Sequence, residues 1–288
     1  MRKYFIDSLV SFNKSKKSIY LILNDLGFNV IEPFKKKYPN KVYNAGVSEQ
    51  NMMGLAAGIA SEKAQVFVYS IANFSTFRCA EQIRNDVDYH QLPVTIVSVG
   101  SGLGYGNLGY THHALQDYAL MRSFPNTLIV SPGNNEELKS ALQYIIEHPQ
   151  PYYLRLDKDE ISLKKKNKFL IKPGSIIKIH KGHKKKIILT TGNVQHIADK
   201  INSKNYSIYS LPIWGQKTKE ITSNQLSKFN EIITIEDHFE DGGFGSWVSE
   251  CINKLNKKII VKHKFISTKV MSQVGSKKFL MNNYGPGV

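Results

Sequence analysis

The sequence predicts an α/β protein of two domains, each with a parallel sheet. Short apolar runs alternate with helical patterns along most of its 288 residues, which is typical of parallel strands joined by crossover helices. A lysine-rich stretch over 157–172 interrupts this alternation, and a second α/β pattern follows it. We therefore expect a first domain over 1–160, a linker over 161–171 and a smaller second domain over 172–288.

The first domain is predicted to alternate strands with helices. Strands are expected at 18–23, 41–44, 65–70, 93–99, 127–131 and 151–155. Helices are expected at 48–61, at 76–89, from about Thr111 onwards, and at 135–147. Because open α/β sheets bind ligands at the carboxyl ends of their strands, side chains that directly follow these strands are the first candidates for a functional site.

The second domain repeats the alternation on a smaller scale. Strands are expected at 186–191, 206–211, 231–236 and 258–262, with helices at 193–202 and from the glycine turn 242–245 to about 255. Glycines in that turn allow close approach of two backbones, so we assign the turn a structural role.

Composition excludes several classes of protein. Hydrophobic residues make up 41% and charged residues 22%, so the chain is not disordered. It has no apolar run of membrane-spanning length, its first residues lack the pattern of a secretory signal, and its two cysteines form no disulfide framework. We therefore expect a soluble cytoplasmic protein.

The net charge of +16 does not by itself indicate a nucleic-acid partner. Only five of the 39 basic residues are arginine, the residue best suited to bidentate recognition of bases and phosphates. The lysines lie in scattered runs without interleaved aromatic residues. The excess positive charge instead favours small anions such as sugar phosphates by electrostatic steering.

The strongest local pattern is a carboxylate, Glu49, at the start of a helix rich in small residues. Taken alone, Glu49 is explained by the favourable interaction of an acid with the helix dipole. However, Gly54, Ala57 and Gly58 indicate close packing along this helix, which would bury its first turn. A buried carboxylate needs a hydrogen-bonding partner or must stay protonated, and functional carboxylates arise in this way.

Two further patterns follow strands at the ligand-binding edge. Phe74 and Phe77 come directly after the strand at 65–70, where they either pack in the core or contact a ligand. His112 and His113 follow a glycine-rich loop. Adjacent histidines on a helix point in different directions, so a metal site needs a third ligand, and one histidine in a cleft is the better interpretation.

The stretch 104–109 matches the G-x-G-x-x-G pattern of dinucleotide-binding proteins. That pattern belongs on the first strand–helix turn, with an acidic residue at the end of the next strand. Here it lies late in the domain and no acid occupies that position, so we do not expect dinucleotide binding.

Together these segments resemble the transketolase family, and most closely its split form, which is encoded as two chains. Asp25-Leu26-Gly27 and the segments 46–50, 74–84, 111–113 and 131–132 occur in the order found in that family. The resemblance covers the whole chain. It implies a pyrimidine-type thiamine diphosphate-binding domain followed by the transketolase C-terminal domain.

The resemblance also implies roles for individual residues. Glu49 matches the glutamate that hydrogen-bonds N1′ of the aminopyrimidine of thiamine diphosphate and promotes loss of the C2 proton. Phe74 matches the aromatic residue that stacks on this ring, with Phe77 as a second contact, and Asp25 matches a carboxylate near the thiazolium. On the substrate side, His112 matches a histidine that binds hydroxyl groups and assists proton transfer. Arg155 matches an arginine that binds phosphate, and Arg78 is a further expected substrate contact.

Two departures from the family pattern shape the prediction. The G-D-G motif that anchors the diphosphate through Mg²⁺ is absent from this sequence. We therefore expect an N-terminal-half partner subunit that carries it, a cofactor shared across the subunit interface, and an α₂β₂ assembly. The segment 99–109 also lacks a second histidine and an aspartate of full-length relatives, so the identity of the sugar stays open.

The predicted activity is transfer of a two-carbon ketol unit from a ketose phosphate to an aldose phosphate. Alternatives with the same fold are the β chain of a 2-oxo acid dehydrogenase, a deoxyxylulose phosphate synthase-like enzyme and a non-catalytic subunit. A lipoyl carrier would be required by the first of these. The second is normally a single chain with its own G-D-G half.

Overall fold

The computed structural model describes residues 1–14, 18–158, 170–198 and 205–287, and these residues form two sheets. The strands are β1 Ile19–Leu23, β2 Val42–Asn44, β3 Gln65–Ile71, β4 Val94–Val99, β5 Leu128–Val130, β6 Tyr152–Leu156, β7 Ile177–His180, β8 Lys186–Thr190, β9 Ser207–Ser210, β10 Ile213–Trp214, β11 Glu231–Ile235 and β12 Ile260–Lys264. Every strand expected from the sequence is confirmed to within two residues at each end.

The first sheet has seven strands in the order β10-β5-β6-β4-β3-β1-β2. Strands β1 to β6 run parallel, and β4 and β6 are buried along their whole length. Burial on both faces explains why these strands appear in the sequence as continuous apolar runs. The sheet therefore places all the loops that follow its parallel strands along one edge, where the candidate site lies.

Strand β10 was not expected from the sequence. It comes from the second half of the chain and pairs antiparallel with β5, Ile213 opposite Val130 and Trp214 opposite Ile129. A two-residue strand has no periodicity of its own, so only the tertiary pairing creates it. The proposed domain boundaries remain a prediction, and this strand links the two halves of the chain across them.

The second sheet has the order β12-β11-β8-β9-β7. Its strands are parallel except β7, which pairs antiparallel with β9 at one edge. The expected strands of the second domain all belong to this sheet, while β7 was missed.

The described helices are α1 Arg2–Asn13, α2 Glu32–Lys37, α3 Glu49–Ser61, α4 Ala72–Thr76, α5 Ala80–Gln82, α6 Asp117–Met121, α7 Asn135–Glu147, α8 Gln195–Ala198, α9 Lys219–Leu226, α10 Phe244–Ile252 and α11 Lys277–Tyr284. The predictions of α3, α7 and α10 are confirmed, whereas α1, α2, α9 and α11 were missed. Of the helix expected at 193–202, residues 199–202 lie outside the described part of the chain, as does most of the expected linker. None of the described helices is both long and apolar enough to cross a bilayer.

The helix predicted over 76–89 is broken in the structure. After α4 the chain forms a 3₁₀ turn at Phe77–Cys79, then α5, then a π-helical stretch at Ile83–Asp88. The hydroxyls of Ser75 and Thr76 donate to the carbonyls of Ile71 and Ala72 at 3.1 and 2.7 Å, and such bonds compete with regular helix. Stretches of 3₁₀ and π-helix frequently accompany functional sites.

The helix expected from about Thr111 does not form. A 3₁₀ turn at Tyr110–His112 takes its place, and α6 begins only at Asp117. The histidines are therefore presented by a tight turn.

Aromatic side chains join the two sheets into one packed body. The ring of Trp214 lies 5.1 Å from the rings of both Tyr118 and Trp247, and Phe244 packs beside them. All four are fully buried. Buried aromatic pairs of this kind stabilise by about 0.5–1.5 kcal/mol each beyond the burial of their area.

Candidate functional site

The candidate site lies at the carboxyl edge of the first sheet. Strands β4, β3, β1 and β2 are neighbours in the sheet, so the loops that follow them are adjacent. The segments after these strands, including the first turn of α3 and helix α4, carry Asp25, Glu49, Phe74 and His112, four of the residues selected from the sequence.

Glu49 is the first residue of α3, and only 5% of it is exposed. Nη1 of Arg78 donates a hydrogen bond to its Oε1 at 3.0 Å. A cleft of about 420 Å³ opens beside this pair and is also lined by Ser48, Gln50 and Asn51. Ligand sites commonly have volumes of this order. A buried carboxylate, favoured by the helix dipole, therefore faces a cleft that can hold a small ring.

Hydrogen bonds from the ends of β1 and β2 fix the start of α3. Oδ1 of Asn44 accepts from the backbone N–H groups of Asp25 and Gly46, both at 3.0 Å. Nδ2 of Asn24 donates to the carbonyl of Gly46 at 2.5 Å. Gly46 has φ +73°, a conformation that favours glycine. The loop that leads to Glu49 is thus braced on both sides.

The glycines of α3 do not pack within this chain, contrary to the expectation from the sequence. Met52, Met53 and Ala56 face the core, while Gly54 and Gly58 lie on the exposed face. A Cβ atom built on either glycine would meet no atom within 4 Å among the described residues. Glu49 is buried by its own surroundings at the helix start, and that part of the prediction is confirmed.

Phe74 lies at the centre of a row of side chains. The guanidinium carbon of Arg78 stands 4.2 Å from the centre of its ring, and the ring of His112 meets it edge-on at 5.1 Å. With the hydrogen bond to Glu49, the row runs Glu49, Arg78, Phe74, His112. The structure therefore brings together four of the candidate residues.

The two histidines, which lie on a turn and not on the expected helix, differ in burial and contacts. His112 is half-buried in the row, and Oγ1 of Thr111 lies 2.9 Å from its Nδ1. Burial, and secondly the positive charge of Arg78, lower the pKa of His112. His113 is buried, with its Nε2 3.4 Å from the carbonyl of Gly106. His112 is thus the histidine available to a ligand.

Asn73 holds the turn that carries His112, and it was not among the residues selected from the sequence. Its Nδ2 donates to the carbonyl of Thr111 at 3.1 Å and to that of His113 at 2.9 Å. A single side chain thus clamps the backbone on both sides of His112. Its position two residues after β3 was the signal that could have identified it.

Asp25 and Phe77 lie at the edges of this arrangement. Asp25 is exposed, has φ +50° and accepts a hydrogen bond from Nδ2 of Asn44 at 3.1 Å. Phe77 lines a different cleft, of about 680 Å³, together with Phe239 and Met271. The cofactor contacts expected for these two residues remain predictions.

Arg155 does not reach the site. It is only 1% exposed, and its Nε and Nη1 donate to the carboxylates of Asp117 and Asp237 at 2.6 and 2.5 Å. Its Nη2 donates to the carbonyl of Ala114 at 2.7 Å, and its guanidinium lies over the ring of Tyr118. With its donors directed at these buried groups, Arg155 presents no surface for a phosphate, and we leave it out of the proposed substrate site.

Further buried titratable groups surround Arg155. Glu236 accepts from the backbone N–H groups of Phe244 and Gly245 at 2.6 and 2.7 Å, and burial raises its pKa to about 8. Burial lowers the pKa of His238 to about 4 and raises that of Asp237. The glycine turn 242–245 is therefore a turn packed onto Glu236, in agreement with its assigned structural role.

The glycine-rich loop after β4 is shaped by packing. Gly100 has φ +87°, and a Cβ there would lie 2.2 Å from the ring of Tyr105. Gly102 has φ +56° and lies against Asp237. Close contacts therefore account for glycine at these two positions. Among the described residues, no group of three or more His, Cys, Asp or Glu side chains could hold a metal ion.

Comparisons with known proteins point to one family. The family described as transketolase, pyrimidine binding domain, matches residues 1–164. One of the subunits of an apulose-4-phosphate transketolase from Actinobacillus succinogenes is 30% identical over 260 residues, which span 88% of this chain and 84% of that protein. A putative transketolase C-terminal section of Methanocaldococcus jannaschii is 33% identical over 270 residues, or 90% and 84% of the two chains.

Longer proteins and solved structures are also similar. The 1-deoxy-D-xylulose-5-phosphate synthase of Clostridium perfringens is 33% identical over 240 residues, but this chain covers only 38% of its length. A solved split gene transketolase, an inactive beta4 tetramer, superposes with a TM-score of 0.82 at 24% identity and covers 98% of this chain and 92% of that one. At that identity the superposition supports the fold alone.

Proposed function

This chain belongs to the transketolase family, and we propose that it is the C-terminal-half subunit of a two-chain, thiamine diphosphate-dependent transketolase. In this function a two-carbon ketol unit passes from a ketose phosphate to an aldose phosphate. The observation that supports it best is the row of Glu49, Arg78, Phe74 and His112 at the carboxyl edge of the first sheet.

The residues of this row fit the aminopyrimidine end of the cofactor. Glu49 is a buried acceptor beside a cleft, and Arg78 connects it to the aromatic ring of Phe74. The two side chains already hold a planar cation with N–H donors, the guanidinium of Arg78. Thiamine diphosphate held there would supply a nucleophilic carbon and an electron sink for cleavage of a ketose C–C bond.

Each side chain then has a distinct task in our proposal. Glu49 would hold a proton at N1′ of the aminopyrimidine, and its burial keeps water from competing for that position. Phe74 would orient the ring by stacking. His112 would bind a substrate hydroxyl and move a proton there, because its lowered pKa leaves the imidazole neutral near pH 7.

We further propose that a separate N-terminal-half subunit holds the diphosphate through Mg²⁺, in an α₂β₂ assembly. The sequence lacks the G-D-G motif for that task. Next to Glu49, the exposed face of α3 presents Leu55 with Gly54 and Gly58, and Val47 precedes it with 73% of its surface exposed. Exposed apolar residues and open glycines suit close contact with another chain. We also propose a cytoplasmic location.

Sugar phosphates are the proposed substrates. The relative from Actinobacillus succinogenes is named for apulose 4-phosphate, and the relative from Clostridium perfringens for 1-deoxy-D-xylulose 5-phosphate. The net charge of +16 would steer such anions towards the site.

Calorimetric titration of thiamine diphosphate with Mg²⁺ tests the shared cofactor site. We expect binding to the mixture of this chain with its N-terminal-half partner and little binding to this chain alone, because each subunit contributes only part of the contacts. Tight binding to the chain alone would contradict a shared site. Binding to neither sample would favour a non-catalytic subunit.

A product assay separates the enzymatic alternatives. We expect the assembled enzyme to convert a ketose phosphate and an aldose phosphate into two new sugars without release of carbon dioxide. Decarboxylation of pyruvate would instead indicate a deoxyxylulose phosphate synthase-like activity. Acyl transfer to a lipoyl carrier would indicate a 2-oxo acid dehydrogenase.

A further inference from the structure

Arg78 contacts both Glu49 and Phe74, the two side chains that the proposed function assigns to the cofactor ring. Its Nη1 donates to Oε1 of Glu49 at 3.0 Å, and its guanidinium carbon lies 4.2 Å from the centre of the Phe74 ring. The first contact is a charge-assisted hydrogen bond, and the second is within the range of a cation–π interaction. Both contacts are made by one side chain.

A guanidinium and an aminopyrimidine present the same chemistry to such a site. Each is planar, carries N–H donors at its edge and stacks on an aromatic ring. Only 5% of Glu49 is exposed, and its Oε1 already accepts from Arg78, so a ring that donates to this oxygen and stacks on Phe74 must displace the guanidinium. The two groups should therefore exclude one another.

We infer that Arg78 fills the aminopyrimidine position while the cofactor is absent and that it must swing away before the ring can bind. This inference rests on the proposed function of the site. It gives Arg78 a role in the cofactor site, whereas the sequence suggested a contact with substrate.

The structure allows such a movement. About half of the Arg78 side chain, 51%, is exposed, while Glu49 and Phe74 belong to elements that pack on the sheet. Arg78 lies on the short 3₁₀ turn Phe77–Cys79 between α4 and α5, outside a regular helix. Its guanidinium can therefore turn into solvent without disturbing the buried carboxylate or the stacking ring.

Competition of this kind lowers the observed cofactor affinity. The observed Kd equals the intrinsic Kd divided by the fraction of molecules in which the position is free, so a smaller free fraction gives weaker binding. A half-exposed ion pair together with a cation–π contact should reduce that fraction about tenfold. High salt should partly relieve the reduction, since salt weakens the ion pair.

The test is titration of thiamine diphosphate and Mg²⁺ into the complex of this chain with its N-terminal-half partner. Arg78→Met keeps the length of the side chain but removes the charge and the planar group, and we expect Kd to fall about tenfold. Arg78→Lys keeps the charge without the planar group and should give an intermediate Kd. Arg84→Met is the matched control, because Arg84 pairs with Glu81 at the surface, and it should leave Kd unchanged.

The salt series completes the experiment. Between low and high salt, the ratio of the Kd of the Arg78→Met complex to that of the wild type should move towards one. An unchanged or higher Kd for Arg78→Met would overturn the inference while wild-type binding still supports the proposed function. Absence of binding in the wild-type complex as well as in the variants would overturn both.

Discussion

The guanidinium of Arg155, at the end of β6, donates to the carboxylate of Asp237, just after β11, at 2.5 Å. This ion pair connects the first sheet with the second, and both side chains are almost fully buried. The same guanidinium donates to Asp117, so one cation neutralises two buried carboxylates. Removal of any one of these three side chains should destabilise the protein, because a buried charge without a partner is costly.

Replacement of Arg155 should destabilise the protein strongly. In Arg155→Met, Asp117 and Asp237 lose their shared cation, and we expect the free energy of unfolding to fall by about 3–5 kcal/mol. Urea denaturation of the isolated chain measures this change, with the exposed Arg84→Met as the control that changes little. A stable Arg155→Met protein with a raised KM for sugar phosphate would contradict the structural role and restore the substrate contact expected from the sequence.

Stability should decrease as the pH rises above neutrality. Burial raises the pKa of Glu236 to about 8, so its contribution is complete below its ordinary pKa near 4.5 and is lost as the pH rises through 8. Burial lowers the pKa of His238 to about 4, so its contribution is complete above pH 6.5 and is lost as the pH falls through 4. These two trends oppose one another between pH 4.5 and 6.5, and above pH 6.5 the loss from Glu236 is no longer offset by His238.

Glu236→Gln isolates this effect. The wild-type chain should lose about 1–2 kcal/mol of unfolding free energy between pH 6.5 and 8, and the variant should lose less. Asp237, whose pKa is also raised by burial, contributes in the same direction, but it is present in both proteins and cancels in the comparison. Equal slopes in urea denaturation at these two pH values would show that Glu236 does not titrate there.

Asn73 should act as a positioning residue for His112. Asn73→Ala removes both hydrogen bonds that clamp the turn, and we expect kcat/KM of the assembled enzyme to fall about tenfold. The Kd for thiamine diphosphate should stay the same, since these hydrogen bonds hold the turn and leave Glu49 and Phe74 in place. Asn85→Ala, which removes an exposed amide bonded to Glu81, is the control. Parallel losses of cofactor affinity and thermal stability would indicate a merely structural role.

The exposed face of α3 should be needed for assembly. In Gly54→Gln, the isolated chain should become more stable by about 0.5–1 kcal/mol, because glycine is a poor helix former. Binding to the partner subunit should weaken at least tenfold, because the added side chain overfills a close contact. Sedimentation of the mixture measures this, with Lys139→Gln on the exposed side of α7 as the control. Full assembly of Gly54→Gln would place the interface elsewhere.

The sequence predicted most of the fold because the buried parallel strands have a strong local signal. Strands such as β4 and β6 are apolar along their length and bounded by turn residues, so their ends could be placed to within two residues. The two-residue strand β10 could not be predicted, since tertiary pairing determines it. The irregular stretch after α4 could not be predicted either, because its sequence has a helical pattern.

The sequence identified most residues of the candidate site but did not predict their contacts. A helix start identified Glu49, a strand end Phe74 and a glycine-rich loop His112, and these residues do lie in one row. Position relative to a strand could not reveal that Arg155 points inward, because its burial depends on Asp117 and on Asp237 from the second half of the chain. Nor could it reveal that the glycines of α3 face outward.

The most direct test of the proposed function is the ketol-transfer rate of the assembled enzyme with Glu49→Gln. Glutamine keeps the shape of Glu49 but cannot hold the proton in the same way, and we expect kcat to fall about 100-fold or more. Glu81→Gln, at an exposed ion pair with Arg84, is the control and should retain full activity. Calorimetric titration with thiamine diphosphate establishes that the variant complex is folded and loaded. Unchanged turnover of the loaded Glu49→Gln enzyme would contradict the role of Glu49 and, with it, the proposed site.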